Sequence, residues 1–142
     1  MKYKKNPTIA IIGLGYTGLP LAINFSKFFN VVGFDNDSYK INNLNKFKDK
    51  TGETNISEIK TFLSKNIFTS DLNKIKNVDI YIVAVPTPID RNNKPDLNIL
   101  KTASKIVAES IKKGSIVIFE STVYPGCTED VCIKILEKYS GF

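Results

Sequence analysis

Short apolar runs alternate with amphipathic stretches along the whole chain. Thr8–Ile12 (TIAII) is continuously apolar, the mark of a strand buried on both faces. Thr17–Phe29 follows with helical spacing, so that Leu21, Phe25, Phe28 and Phe29 share a face, and Pro20 falls in the first turn, where its missing N–H is tolerated. Val31–Phe34 reads as a second strand, ended by Asp35-Asn36-Asp37, and Ser38–Leu44 as a short helix. Lys46–Asn55 is polar, contains Gly52 and reads as a loop; Ile56–Leu63 reads as a helix, followed by a short strand at Ile67–Thr69. Val78–Val83 is a β-branched strand, and Val85–Pro95, with Pro86, Pro88 and Pro95, must be irregular. Asp96–Ile111 reads as a helix with Asp96 as N-cap, stopped by Gly114; Ser115–Phe119 is a last strand and Cys127–Tyr139 a last helix.

Strands that alternate with helices predict an α/β fold: a doubly wound, mainly parallel Rossmann-type sheet with helices on both faces. Ligands of such sheets bind outside the carboxyl ends of the strands. Gly13–Gly18, Asp35, Pro86-Thr87 and Ser121-Thr122 each follow a strand directly.

At 142 residues, the chain is one domain, long enough to bury a core without disulfides or metal. Hydrophobic residues make up 42% and charged residues 24%, which excludes disorder, collagen-like repeats and coiled coil. No apolar run approaches the ~20 residues of a membrane helix. The basic start, Met1 to Pro7, precedes a glycine-broken apolar stretch that does not read as a secretory signal, so a cytoplasmic location is expected. The net charge is +6, and of 20 basic residues only Arg91 is arginine. The lysines are dispersed apart from Lys2, Lys4 and Lys5, a pattern of a solvated surface rather than a nucleic-acid patch. Histidine is absent, and the two cysteines, Cys127 and Cys132, have no partner cluster, so no zinc or other metal site is expected.

Gly13-Leu14-Gly15-Tyr16-Thr17-Gly18 is a GxGxxG between a buried strand and a helix, the context that makes the pattern specific for a dinucleotide. Gly13 permits the tight turn, Gly15 lets backbone approach a pyrophosphate, and Gly18 lets the helix pack closely on the strand. The helix start offers N–H groups and the positive end of its dipole. Asp35 ends the second strand 22 residues after Gly13, the place of an acid that accepts from the adenosine ribose hydroxyls and repels a 2′-phosphate. That favours NAD over NADP. Asp37 reads as the cap of the next helix, and Lys40, one turn in, as solvated or reaching the adenosine side.

The segment GLGYTGLPLA resembles the UDP-glucose/GDP-mannose dehydrogenase family, the nucleotide-sugar 6-dehydrogenases. Phe34-Asp35, VAVPTP at Val83–Pro88 and ESTVYPG at Glu120–Gly126 match in order, so the resemblance spans nearly the whole chain from Thr8. It implies that Asp35 binds the adenosine ribose assisted by Lys40, that Val85, Pro86 and Thr87 line the dinucleotide, and that Ser121 and Thr122 lie near the nicotinamide, where family members use the threonine to help hold a water. VPTPID at Val85–Asp90, KPDL at Lys94–Leu97 and Thr51-Gly52-Glu53 look most like the branch that oxidises UDP-N-acetylhexosamines on the way to surface polysaccharides.

The family removes two hydrides in succession from the sugar C6 alcohol, linked by a thiohemiacetal and a thioester on a cysteine, and water releases a carboxylate. That cysteine lies beyond Phe142 in family members, so none of the catalytic residues is expected in this chain. The resemblance therefore implies that residues 1–142 are the NAD-binding domain of a longer enzyme, with NAD and a UDP-sugar as its partners and a homo-oligomeric full-length form. Cys127 departs from the family, which commonly has threonine there; a thiol caps a helix about 1 kcal/mol less well. Cys127, a thiol expected on a turn, and Cys132, a small apolar residue of the last helix, are read as non-catalytic. UDP-glucose or GDP-mannose as substrate, another dehydrogenase with the same cofactor fold, and a stand-alone nucleotide-binding module are the alternatives.

Overall fold

The computed structural model describes residues 5–89 and 92–142. Lys2 and Lys4 of the basic cluster, and Asp90 and Arg91 in the proline segment, lie outside the described residues.

Five strands, β1 (Thr8–Ile12), β2 (Asn30–Phe34), β3 (Ile67–Thr69), β4 (Ile80–Val83) and β5 (Ile116–Phe119), form one sheet in the order β3-β2-β1-β4-β5, with every pairing parallel. Helices α1 (Gly18–Phe25), α2 (Ser38–Asn45), α3 (Ile56–Leu63), α4 (Asn98–Ala108) and α5 (Lys134–Ser140) connect or flank them. The two-residue period of a strand divides the core. Ile9 and Ile11 of β1 and Ile82 of β4 pack with Leu19, Ala22 and Ile23 of α1 and with Ile59 and Phe62 of α3. Ala10 and Ile12, with Tyr81 and Val83, face the opposite way, onto Leu100, Ala103 and Val107 of α4 and onto Cys127 and Cys132. The predicted sheet with helices on both faces is therefore the observed one.

The differences have local causes. Helix α1 ends at Phe25 rather than Phe29, because its last turn tightens: Ser26 Oγ donates to Ile23 O at 2.6 Å and Phe28 N to Phe25 O at 3.0 Å. Phe28 leaves the expected apolar face and is 80% exposed. Helix α4 starts at Asn98, two residues past Asp96, whose carboxylate accepts from Asn98 N–H in a turn ahead of the helix. Between β3 and β4, where the alternation anticipates a helix, there is only a 3₁₀ turn at Leu72–Ile75. The last helix is split: Thr128–Ile133 is a π-helical turn that leads into α5. In an α-helix, residues five apart diverge by roughly 140°. The i→i+5 bonding of a π turn stacks them instead, so Cys127 and Cys132 are both fully buried on the α4 side. Cys127 is thus a core residue, not a thiol offered by a turn. Among the described residues no helix is long and apolar enough to cross a membrane, and no group of histidine, cysteine or carboxylate side chains could hold a metal.

Candidate cofactor site

The chain leaves β1 through a turn fastened on both sides. Gly13 N donates to Phe34 O of β2 at 2.8 Å, and Ala84 N donates to Ile12 O at 2.9 Å. Gly13 holds φ +93°, and a Cβ on it would lie 2.9 Å from both Ala84 O and Val85 Cγ1. Gly18, the first residue of α1, is the tightest point: a Cβ there would lie 1.8 Å from Gly13 O. Gly15 between them has open space, with nothing within 4 Å of such a Cβ. The first and third glycines therefore let α1 close onto the turn, and the second leaves a bare backbone facing outward, which suits the approach of a pyrophosphate. Thr17 does not cap α1 with its side chain, and the first turn carries no acidic residue. The helix start retains its positive potential.

Asp35 is only 6% exposed. Its Oδ2 accepts from Leu14 N–H at 2.9 Å and from the Lys40 ammonium at 2.6 Å, while Oδ1 accepts from Asp37 N–H at 3.0 Å. Burial of a carboxylate requires such partners. They tie it to the glycine turn, and Oδ1, with one donor, keeps lone-pair capacity. Asp37 caps α2, accepting from Tyr39 N and Lys40 N, which sets Lys40 one turn into the helix and within reach of Asp35.

A cavity of about 580 Å³ opens over the carboxyl ends of β1, β2 and β4, within the size range of small-molecule and cofactor sites. It lies where the strand order reverses, between β1 and β4. Gly13, Gly15, Tyr16, Asp35, Lys40, Val85 and Pro86 line it. Of the other residues singled out in the sequence, Leu14 is buried in the core and contributes its N–H to Asp35, and Gly18 is buried under the turn. Thr17, Thr87, Ser121 and Thr122 are not in the cavity wall. The Ser121 hydroxyl donates to Val85 O at 2.6 Å, and that of Thr87 donates to Thr122 O at 2.5 Å.

The sequence reading missed the wall that α4 provides. Asn98, Ile99, Thr102, Ala103 and Ile106 line the cavity opposite the glycine turn. The signal was present, since 99, 102, 103 and 106 keep the i, i+3, i+4, i+7 spacing of one helix face. Ala103 sits among the core residues of α4, whereas Ile99 remains 42% exposed, an apolar side chain with no protein partner over much of its surface. An apolar slot beside a buried carboxylate suits a flat apolar group such as a nucleobase.

A sequence profile described as the NAD binding domain of the UDP-glucose/GDP-mannose dehydrogenase family matches residues 7–141. Over 137 residues the chain is 47% identical to a UDP-N-acetyl-D-glucosamine 6-dehydrogenase of Pseudomonas aeruginosa, covering 96% of this chain and 32% of that protein. Its fold superposes on the UDP-D-ManNAc dehydrogenase of Pyrococcus horikoshii with a TM-score of 0.88 at 36% identity, over 95% of this chain and 33% of that one. A GDP-mannose dehydrogenase from Pseudomonas aeruginosa superposes with a TM-score of 0.85 at 29% identity, over 94% and 33%. The chain spans about a third of the length of the curated relatives it matches. A profile match across nearly every residue, and a sheet shared with solved relatives, lead to one conclusion: the chain belongs to the UDP-glucose/GDP-mannose dehydrogenase family and corresponds to its NAD-binding domain.

Proposed function

We propose that residues 1–142 form the cofactor half of an NAD-dependent nucleotide-sugar 6-dehydrogenase that oxidises a UDP-N-acetylhexosamine to the uronic acid for surface polysaccharide synthesis. The observation that carries the cofactor reading is the pairing of an open glycine turn with Asp35, both lining one cavity. In it, Gly13, Gly15 and the start of α1 hold the pyrophosphate, Asp35 and Lys40 hold the adenosine ribose, and Ile99, Thr102 and Ile106 face the adenine. Bound NAD supplies the hydride acceptor. This chain binds and orients the dinucleotide, and Val85 and Pro86 close the wall beside it. The sugar pocket and the nucleophilic cysteine are supplied by sequence outside these residues. The full-length protein is read as a cytoplasmic homo-oligomer without nucleic-acid or membrane partners.

The choice of sugar is supported by the identities of 47% to the UDP-N-acetyl-D-glucosamine 6-dehydrogenase and 39% to a UDP-N-acetyl-D-mannosamine dehydrogenase of Pyrococcus horikoshii. Steady-state NADH production by the full-length protein with UDP-N-acetylglucosamine, UDP-glucose and GDP-mannose tests it. The highest kcat/KM is expected for the N-acetylated sugar. A higher value for UDP-glucose or GDP-mannose overturns the substrate assignment and leaves the family intact. A full-length protein that binds NAD but turns over no nucleotide sugar would favour a non-catalytic nucleotide-binding module.

A further inference from the structure

Helix α4 turns one stripe of side chains toward the cavity: Ile99, Thr102, Ala103 and Ile106. Three of the four are apolar. Thr102 stands among them, one turn from Ile99 and one turn from Ile106, and carries the polar side-chain atom of the stripe.

The proton of that hydroxyl is already engaged. Thr102 Oγ1 donates to the main-chain oxygen of Asn98, four residues back, at 2.9 Å. A threonine hydroxyl has one proton and two lone pairs. With the proton on the backbone of α4, the group has acceptor capacity left for a ligand and no donor. A free hydroxyl would rotate to suit either kind of partner. Asn36 and Asn98 also line the cavity, but a side-chain amide holds a donor and an acceptor together and discriminates less.

We propose that Thr102 selects the base of the dinucleotide, favouring a 6-aminopurine over a 6-oxopurine. Ile99, Ala103 and Ile106 supply apolar contact that any purine can use. The edges of the bases differ, because adenine presents an amino donor at C6, where hypoxanthine and guanine present an acceptor oxygen. The Thr102 oxygen accepts from the amino group as it stands. To meet an oxygen, Thr102 must turn its proton away from Asn98 O and give up that hydrogen bond. This rests on the cavity being the dinucleotide site with its base against α4.

NAD and nicotinamide hypoxanthine dinucleotide test the assignment. They share both riboses, the pyrophosphate and the nicotinamide, and differ only in the base. Calorimetric titration of the 142-residue chain is expected to show NAD bound about three- to tenfold more tightly. Thr102→Val keeps the branched shape and removes the hydroxyl. It is expected to weaken NAD by about three- to tenfold and to leave the hypoxanthine dinucleotide within about twofold, so that the preference disappears. Thr102→Ser keeps the hydroxyl and its bond to Asn98 O, and is expected to keep the preference. Equal affinities in the parent chain, a preference that survives in Thr102→Val, or a Thr102→Ser chain that behaves like Thr102→Val would overturn the role of Thr102. A parent chain that binds neither dinucleotide would overturn the reading of the cavity itself, and the assignment with it.

Discussion

The ammonium of Lys40 lies 2.6 Å from Oδ2 of Asp35, the same oxygen that accepts the Leu14 N–H at 2.9 Å. One carboxylate thereby ties the glycine turn to α2 and is partly neutralised where a ribose would meet it. Asp35→Ala leaves the N–H groups of Leu14 and Asp37 without their acceptor. It is expected to weaken NAD by about tenfold or more and to erase the preference over NADP. Lys40→Met leaves the carboxylate charge uncompensated, so NADP should weaken more than NAD and the ratio between them should rise. Calorimetric titration of the two variants with both dinucleotides reads these outcomes. Unchanged selectivity in Asp35→Ala means that another group discriminates the 2′ position.

The three glycines of the turn separate stability from binding. Gly18→Ala forces a methyl to within 1.8 Å of a backbone oxygen, and the helix must move away from the turn. The expected loss is about 3 kcal/mol or more of unfolding free energy. Gly15→Ala meets nothing within 4 Å, so the free chain should keep its stability within about 0.5 kcal/mol. The same methyl obstructs the approach of a pyrophosphate, so NAD affinity should fall. Denaturant unfolding beside dinucleotide titration gives both quantities, and a Gly15→Ala chain with full affinity would move the phosphates elsewhere.

Tyr81 is fully buried and its hydroxyl sits between two carbonyls, 2.7 Å from Ile75 O and 2.8 Å from Ser110 O. Burial pushes it up to about 12, from an ordinary value of 10.0. Below pH 10 it is neutral in both folded and unfolded chains and stability is unaffected. Above that, the unfolded chain loses the proton first, so stability falls as pH rises from about 10 toward 12. Tyr81→Phe should remove that component of the alkaline loss while costing about 1–2 kcal/mol at neutral pH, because Ile75 O loses the hydroxyl donor and Ser110 O keeps only the Asn77 N–H. Unfolding midpoints across pH 7 to about 11 for the two chains test the sign.

Both thiols are shut away. Cys127 and Cys132 are fully buried, and burial, the largest influence on it, pushes the Cys132 thiol up. A thiol reagent at neutral pH should leave the folded chain unlabelled and react twice per chain once it is unfolded. For the same reason the 142-residue chain should bind NAD yet oxidise no nucleotide sugar. The assay is NADH absorbance with each UDP-sugar. Turnover above background that vanishes in Cys127→Ser would make Cys127 a nucleophile.

Much of the architecture is legible in local pattern. The apolar run TIAII and the β-branched stretches at Val31–Phe34 and Val78–Val83 each read as a strand, and each gives a strand of the parallel sheet, the last beginning at Ile80. Gly13, Gly18 and Asp35 are legible for a different reason: a tight turn, a close helix approach and a buried acid each admit few residue types. Helix ends are less legible, since Asp96 accepts a turn bond as readily as a cap bond and only the path after Pro95 decides which.

Composition, period and the glycine spacing by themselves determined the α/β alternation, the strands and the residues of the turn, because those depend on contacts within a few positions. Four features were settled only by tertiary structure. Cys127 and Cys132 lie on one face because the segment winds as a π turn, burying both against α4. Ile99, Thr102 and Ile106 become a cavity wall because α4 crosses above the ends of β1 and β4. Phe28 is left in solvent because α1 unwinds before it. Thr87 and Ser121 reach each other's loops because β4 and β5, 36 residues apart at Val85 and Ser121, lie side by side. Each depends on groups distant in sequence coming within a few ångströms, and no local pattern encodes that distance.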